Sequence, residues 1–134
     1  MNSKPHIINL PIMGNLEIGY LSVIESSKSI PFEIKRVFYA YFTPDSVLRG
    51  RHAHHETEMI LIAAAGRIVV TTEMNNYNPE IFVLEKPNQG LFLPKLCWHT
   101  MQYSHNSVQI VLASTYYDEL DYIRSYEEFK NTNK

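Results

Sequence analysis

The feature that most constrains this chain is its division into short, β-rich apolar runs set apart by turn residues. LEIGYLSVIE, FEIKRVFYAYF, EMILIAAAG, RIVVTTE, EIFVLE, GLFLP and SVQIVLAS are dense in Ile, Val, Leu, Phe and Tyr. Between them stand SSKSIP, TPDS, NNYNPE and EKPNQG, which carry the Pro, Asn, Asp, Ser and Gly that punctuate strands. Several strands at such short spacing predict a sandwich or barrel. EMILIAAAG has the composition of a helix as well, but Gly66 and the β-rich RIVVTT after it favour strand, turn, strand. Only the tail YYDELDYIRSYEEFK has helical character, with Leu120, Ile123 and Tyr126 at near-helical spacing. No repeat or linker interrupts the chain, so residues 1–134 read as one all-β domain with a short C-terminal helix.

Composition narrows the partners. A net charge of -2 gives no electrostatic reason to expect nucleic acid or a membrane surface. No apolar run nears the roughly 18 residues of a spanning helix, and MNSKPHIINL lacks the shape of a signal peptide. A single cysteine, Cys97, leaves no internal disulfide, so a reducing cytoplasm is the expected location. Cys97 beside Trp98 reads as a small packing residue. Neither GxGxxG nor GxxxxGK[ST] is present, which argues against the common dinucleotide and P-loop folds.

The chemistry is concentrated in RGRHAHHETEM, residues 49–59, which holds three of the six histidines within four positions. On a regular strand His52 and His54 share a face and His55 takes the other. If the strand continues in step, Glu58, Ile60 and Ile62 join the first face, and core isoleucines there turn the histidine pair inward. Burying two imidazoles side by side is costly unless something uses them. They can ligate a metal, move a proton or hold an anion, and the spacing alone leaves all three open. His6 and His105 have no polar neighbours of this kind and read as surface residues.

The metal reading has a motif behind it. Gly50, His52, His54, Glu58, Gly66, Pro94 and His99 resemble the two motifs of metal-binding cupins, which are small jelly-roll barrels. The gaps between Gly50 and His52 and between Glu58 and Gly66 depart from the usual spacing, and the second motif lacks its middle Gly. A metal-dependent cupin enzyme would use His52, His54, Glu58 and His99.

A more specific likeness runs from about Gly19 to Phe129. IPFEIKRV, RGRHAH, GLFLPKLCWHTMQYS and VLASTYYDELDYIRSYEEF resemble the sugar 3,4-ketoisomerases of the cupin superfamily, as does GYLSVIE. The resemblance implies a cupin-like jelly-roll barrel, usually a homodimer, with no required metal or redox cofactor. It implies conversion of dTDP-4-keto-6-deoxyglucose to the 3-keto isomer, aminated afterwards for glycans such as lipopolysaccharide. By motif, the family's histidine pair falls on His52 and His54, its active-site arginine on Arg49 and its second-motif histidine on His99. The tyrosine-bearing strand falls on Phe38 and Tyr39. This chain departs from the family in having His55 after HAH, Phe38 for the first tyrosine, and Ile18 before Gly19.

Moving a carbonyl from C4 to C3 calls for a base at the C3 proton, an enediolate, and a proton delivered to C4. His54 is expected as the base and acid, with His52 as its partner. Acid–base catalysis of this kind supplies about 10²–10⁴-fold, so charge stabilisation must add to it. Arg49 is the candidate, although regular alternation points it outward; a bulge at Gly50 would turn it in. Arg36, with Lys35 on the opposite face, and Arg51 are candidates for the pyrophosphate, which suits the bidentate guanidinium fork. Tyr39 and Tyr103 are candidates to stack on thymine. Tyr122 and Arg124 read as structural, locking the tail to the barrel or a partner. The competing readings are the metal cupin and a non-catalytic sugar-nucleotide-binding cupin. A sugar 3,5-epimerase is opposed by the YYDELDYIRSY pattern.

Overall fold

The structure is a computed structural model that describes residues 3–132. In chain order the strands are β1 (His6–Asn9), β2 (Ile12–Asn15), β3 (Gly19–Ser22), β4 (Arg36–Tyr41), β5 (Leu48–His54) and β6 (Met59–Ala65). They continue with β7 (Ile68–Met74), β8 (Glu80–Leu84), β9 (Gln89–Leu93), β10 (Cys97–Tyr103), β11 (Val108–Ala113) and β12 (Tyr122–Ile123). Two antiparallel five-stranded sheets result, in the orders β1-β9-β6-β11-β4 and β12-β5-β10-β7-β8, while β2 and β3 form a separate hairpin. This is a cupin-like jelly roll. All seven apolar runs contain strands, and Gly66 takes the left-handed φ of 75° that reverses the chain between β6 and β7.

The central core fills the space between the sheets with Met59, Leu61, Ile68, Val70, Leu91, Leu93 and Val111. A second cluster lies on the other face of the first sheet, where Ile60, Ile62, Phe92 and Leu112 meet Leu10, Ile30 and Phe32. Strand β6 is therefore buried on both faces over Met59–Ala63, which is why its sequence is continuously apolar rather than alternating. This corrects the expected face of Ile60 and Ile62. Met59 and Leu61 face the interior, and an irregular link over residues 55–58, bent at 55 and 56, separates β5 from β6, so parity does not carry across.

The tail also departs from expectation. A single 3-10 turn, Glu119–Asp121, leads into β12, and the helix α1 is confined to Tyr126–Lys130. Leu120 is 87% exposed, so it marks no helical apolar face. Ile123 and Phe129 anchor the segment instead, packing with Ala53, Leu96 and Trp98. Ser125 caps α1 by accepting from the Glu128 N–H.

Strand β5 carries the expected bulge. Its pairing with β10 matches His52 to His99 and Gly50 to Thr100, leaving Arg51 as the extra residue. Gly50 and Arg51 are both left-handed, with φ of 86° and 61°. A Cβ on Gly50 would sit 2.7 Å from the His99 carbonyl oxygen, so the position requires glycine. Gly50→Ala is expected to cost on the order of 1–3 kcal/mol, read as a lowered denaturation midpoint; an unchanged midpoint would remove the bulge as a constraint.

Candidate active site

The bulge and the β5–β10 register together gather three imidazoles. His52 and His99 face each other with ring centroids 4.7 Å apart, and the His54 ring lies 5.1 Å from His52 and 6.2 Å from His99. Each Nδ1 meets an oxygen: the Gly50 carbonyl at 3.1 Å for His52, Asp121 Oδ2 at 3.1 Å for His54, and the Cys97 carbonyl at 3.0 Å for His99. A carbonyl or carboxylate oxygen can only accept, so each Nδ1 carries the proton and each Nε2 keeps its lone pair. His54 and His99 are buried and His52 is half-buried.

Burial is the main reason the three rings stay neutral. Desolvation, aided by the charge that His54 would carry, lowers His52 from 6.5 to about 4. His54 also falls to about 4, through burial and His99, with Asp121 pulling the other way. His99, the deepest, falls to about 3 through burial and His52. Burial likewise pushes the Cys97 thiol up to about 12, which makes it an inert packing group, as expected.

Asp121 is the main residue that sequence reasoning missed. Its Oδ1 accepts the Glu56 N–H at 2.7 Å, its Oδ2 accepts from the Thr57 hydroxyl as well as His54, and its carbonyl accepts the His55 N–H at 2.9 Å. Burial opposes ionisation of this carboxyl, but the bonds from Thr57, Glu56 and His54 hold it below the usual range. It therefore clamps the bend after β5 and fixes the His54 tautomer at once. The pairing that delivers it, β12 alongside β5 with Tyr122 opposite His54, joins positions 68 apart in the chain (122 − 54), and no local pattern signals it.

A cavity of about 420 Å³ opens in front of His52 and His99, within the roughly 300–1,000 Å³ of small-ligand sites, while His54 is buried beside them and is not among its lining residues. His52, His99 and Arg49 line it, so the bulge does turn Arg49 inward. Phe38, Tyr39 and Tyr41 line it from β4, and Met59, Leu61 and Met101 supply apolar wall. Tyr39 is 63% exposed and stacks against Tyr41 at 5.9 Å, which makes a platform at the mouth. Tyr103 also lines the cavity, but it is almost fully buried and its hydroxyl donates to Gln109 Oε1 at 2.5 Å. It is a fixed part of the floor rather than a stacking surface. Burial raises its hydroxyl to about 12 against the pull of Arg49.

Other expected residues lie outside the cavity lining. Arg51 is exposed and lies outside the lining, because the bulge that brings Arg49 in makes Arg51 the unpaired residue. Arg36 is also outside it, held between the Phe38 and Tyr117 rings at 5.2 and 5.6 Å. Lys35 pairs with Glu33. Glu58 is not part of the imidazole group; its N–H donates to Ser114 Oγ. Conversely Tyr122 and Arg124, read as structural, line the cavity. The Tyr122 ring lies 4.4 Å from His54 and 5.0 Å from His52, and the Arg124 guanidinium lies 4.2 Å from its centroid. Arg124 is held by a bidentate pair with Glu119 at 2.7 and 2.9 Å. His55, His6 and His105 are exposed, as expected.

Known proteins share this architecture. Residues 3–134 match the family model described as FdtA: WxcM-like, C-terminal. The chain belongs to this family. It is 44% identical over 113 residues, 84% of the chain and 81% of the relative, to the TDP-4-oxo-6-deoxy-alpha-D-glucose-3,4-oxoisomerase of Aneurinibacillus thermoaerophilus. Among solved structures, a 3,4-ketoisomerase from Helicobacter canadensis superposes with a TM-score of 0.90 at 38% identity, covering 96% of both chains. The sugar 3,4-ketoisomerase QdtA from Thermoanaerobacterium thermosaccharolyticum, solved in complex with TDP, gives 0.91 at 33% identity over 97% of this chain and 94% of that one. A variant of that enzyme was solved in complex with TDP-4-keto-6-deoxyglucose.

Two outcomes test the site. The folded pKa values of His52, His54 and His99 lie below 6.5, so the unfolded chain takes up protons first as the pH falls. Their contribution to stability is complete above pH 6.5 and is lost on descent through pH 4, for His52 and His54, to pH 3, for His99. Unfolding near pH 5 should take up about three protons from this group, and a denaturation midpoint that stays flat between pH 7 and 5 would contradict it. Asp121→Asn should lower kcat on the order of 10²-fold. It should also shift the acid limb of the rate profile downward, because Asp121 raises the His54 pKa. A loss of rate with the limb in place would reduce Asp121 to a structural clamp.

Proposed function

We propose that the chain is a sugar-nucleotide 3,4-ketoisomerase that converts dTDP-4-keto-6-deoxyglucose to a dTDP-3-keto-6-deoxyhexose through an enediol. The observation that carries this is the pair His52 and His54, with His54 backed by Asp121, beside a cavity that Arg49 enters. These residues stand in a chain 44% identical to an oxoisomerase of that sugar nucleotide.

The roles follow from what each imidazole touches. The C3 hydrogen is acidified by the adjacent C4 carbonyl, and a neutral Nε2 lone pair removes it as a proton. His54 suits this step because Asp121 holds its Nδ1–H and stabilises the imidazolium that forms. Negative charge then develops on O4, and Arg49 is the cavity-lining cation placed to offset it. His52, whose Nδ1 rests only on a backbone carbonyl, lines the cavity and carries the proton between O3 and O4. The proton on His54 returns at C4. Bonds and electrons balance within one sugar, so the step draws on no external oxidant. Arg124 serves the diphosphate in place of Arg36 and Arg51, and the Tyr39 face is open to thymine.

In this proposal residues 1–134 act as one jelly-roll domain, paired as a homodimer in the cytoplasm. The β2–β3 hairpin supports the dimer: it is exposed along both strands and shows Ile12, Leu16, Ile18, Tyr20 and Leu21 to solvent. An isolated two-stranded hairpin is marginal in water, and a second copy would cover it. Strand β4, at the end of its sheet, offers a free edge beside the cavity mouth.

The test is proton NMR with dTDP-4-keto-6-deoxyglucose in D₂O. Wild-type protein should exchange the C3 proton and build up a 3-keto product. His54→Asn should lose both by about 10²–10⁴-fold while its circular dichroism is unchanged. If His52→Asn instead stops C3 exchange and His54→Asn does not, the two roles are reversed. Binding without exchange in the wild-type protein would make it a sugar-nucleotide-binding module.

A further inference from the structure

Arg49 lines the cavity on a long side chain, is itself exposed, and forms no ion pair among the described residues. A cation that offsets charge in a transition state is effective when it is held in place beforehand. The holding group stands on β10. Arg49 lies across the ladder from Met101, and Tyr103, two positions further along β10, shares the inward face of Met101. Burial raises the Tyr103 hydroxyl to about 12, and the Arg49 guanidinium opposes this by its charge and by hydrogen bonding.

The polarity of that contact is set from the other side. Tyr103 gives its one hydroxyl proton to Gln109 Oε1 at 2.5 Å, which leaves only lone pairs for other partners. A guanidinium can only donate, and its several N–H groups let one rest on the phenol while others face the cavity. Gln109 is fixed in turn: it is 2% exposed, and its Nε2 donates to Met101 Sδ at 2.9 Å. A thioether only accepts, so reversing the amide would set Oε1 against sulfur. It is also a weak acceptor, so burying the amide here adds little to stability. What the buried pair supplies is a direction for the phenol.

We propose that Tyr103 and Gln109 are positioning residues: Gln109 aims the Tyr103 hydroxyl, whose lone pairs hold Arg49 where negative charge develops on the substrate. The clause about developing charge rests on the function proposed above; the clause about holding Arg49 does not.

The experiment compares ¹⁵N-labelled wild-type protein with Tyr103→Phe, which keeps the ring that packs the floor, and with Gln109→Met. Folding is checked by circular dichroism, and the Arg49 side-chain signals are assigned by their loss in Arg49→Lys. In wild-type protein the Arg49 Nη signals should be separate at low temperature, as for a guanidinium held against rotation. Tyr103→Phe should merge them and lower kcat by about 10- to 100-fold with KM changed less than about twofold. Gln109→Met should move both readouts the same way by a smaller factor. Arg49 signals that are already merged in wild-type protein, or unchanged in Tyr103→Phe, would overturn the holding clause. An unaltered Gln109→Met would remove Gln109 from the proposal. Merged signals with kcat intact, or a rise in KM alone, would overturn the clause about developing charge. Signals that merge as expected in a protein that never exchanges the C3 proton would remove the isomerase reading and leave the holding clause standing.

Discussion

The site depends on the pairing of β5 with β10 across a single bulge. Without the extra residue at Arg51, strand alternation would put Arg49 and His52 on opposite faces. With it, both reach the same cavity, and His52 still meets His99 across the ladder. Gly50 makes this possible twice over. It adopts a left-handed φ, and it leaves room for the His99 carbonyl where a Cβ would collide. The inward arginine and the imidazole cluster are thus set by one irregularity in one strand.

A second constraint comes from the tail. Strand β12 closes the open edge of β5, which would otherwise expose unpaired backbone beside the cavity. In doing so it delivers Asp121 to His54, Tyr122 against both His52 and His54, and Arg124 to the cavity wall. Edge protection and site assembly are one event. The 3-10 turn before β12 has Asp118 as its cap, accepting from the Leu120 N–H, and this turn aims Asp121 back at the bend.

Electrostatically, the interior holds neutral bases and the rim holds cations. Burial keeps His52, His54 and His99 unprotonated at neutral pH, while Arg49 and Arg124 line the cavity. Glu119, held low at about 2 by the Arg124 hydrogen bonds and the Tyr117 hydroxyl, orients Arg124 without entering the imidazole cluster. A base close to a cation is ordinarily disfavoured when protonated, and Asp121 offsets that penalty at His54.

The sequence by itself determined the strand-rich fold, the inward histidine pair, the bulge at Gly50, and the ketoisomerase likeness carried by RGRHAH and DYIRSY. These are local facts: a turn residue, an alternation or a motif is written in adjacent positions. Strand parity gives the right orientation for His52 and His54, but from a wrong premise. Strand β6 is apolar on both faces, so Ile60 and Ile62 carry no information about which side is the interior. Only the tertiary structure decided that Asp121 backs His54, that Tyr122 and Arg124 line the cavity, and that Arg36, Arg51 and Glu58 do not. It also placed Tyr103 in the floor. Each of these rests on strand pairing between distant segments or on a side chain being trapped by packing. Hydrogen-bond registry between β5 and its two neighbours, rather than any periodicity within β5, selects those partners.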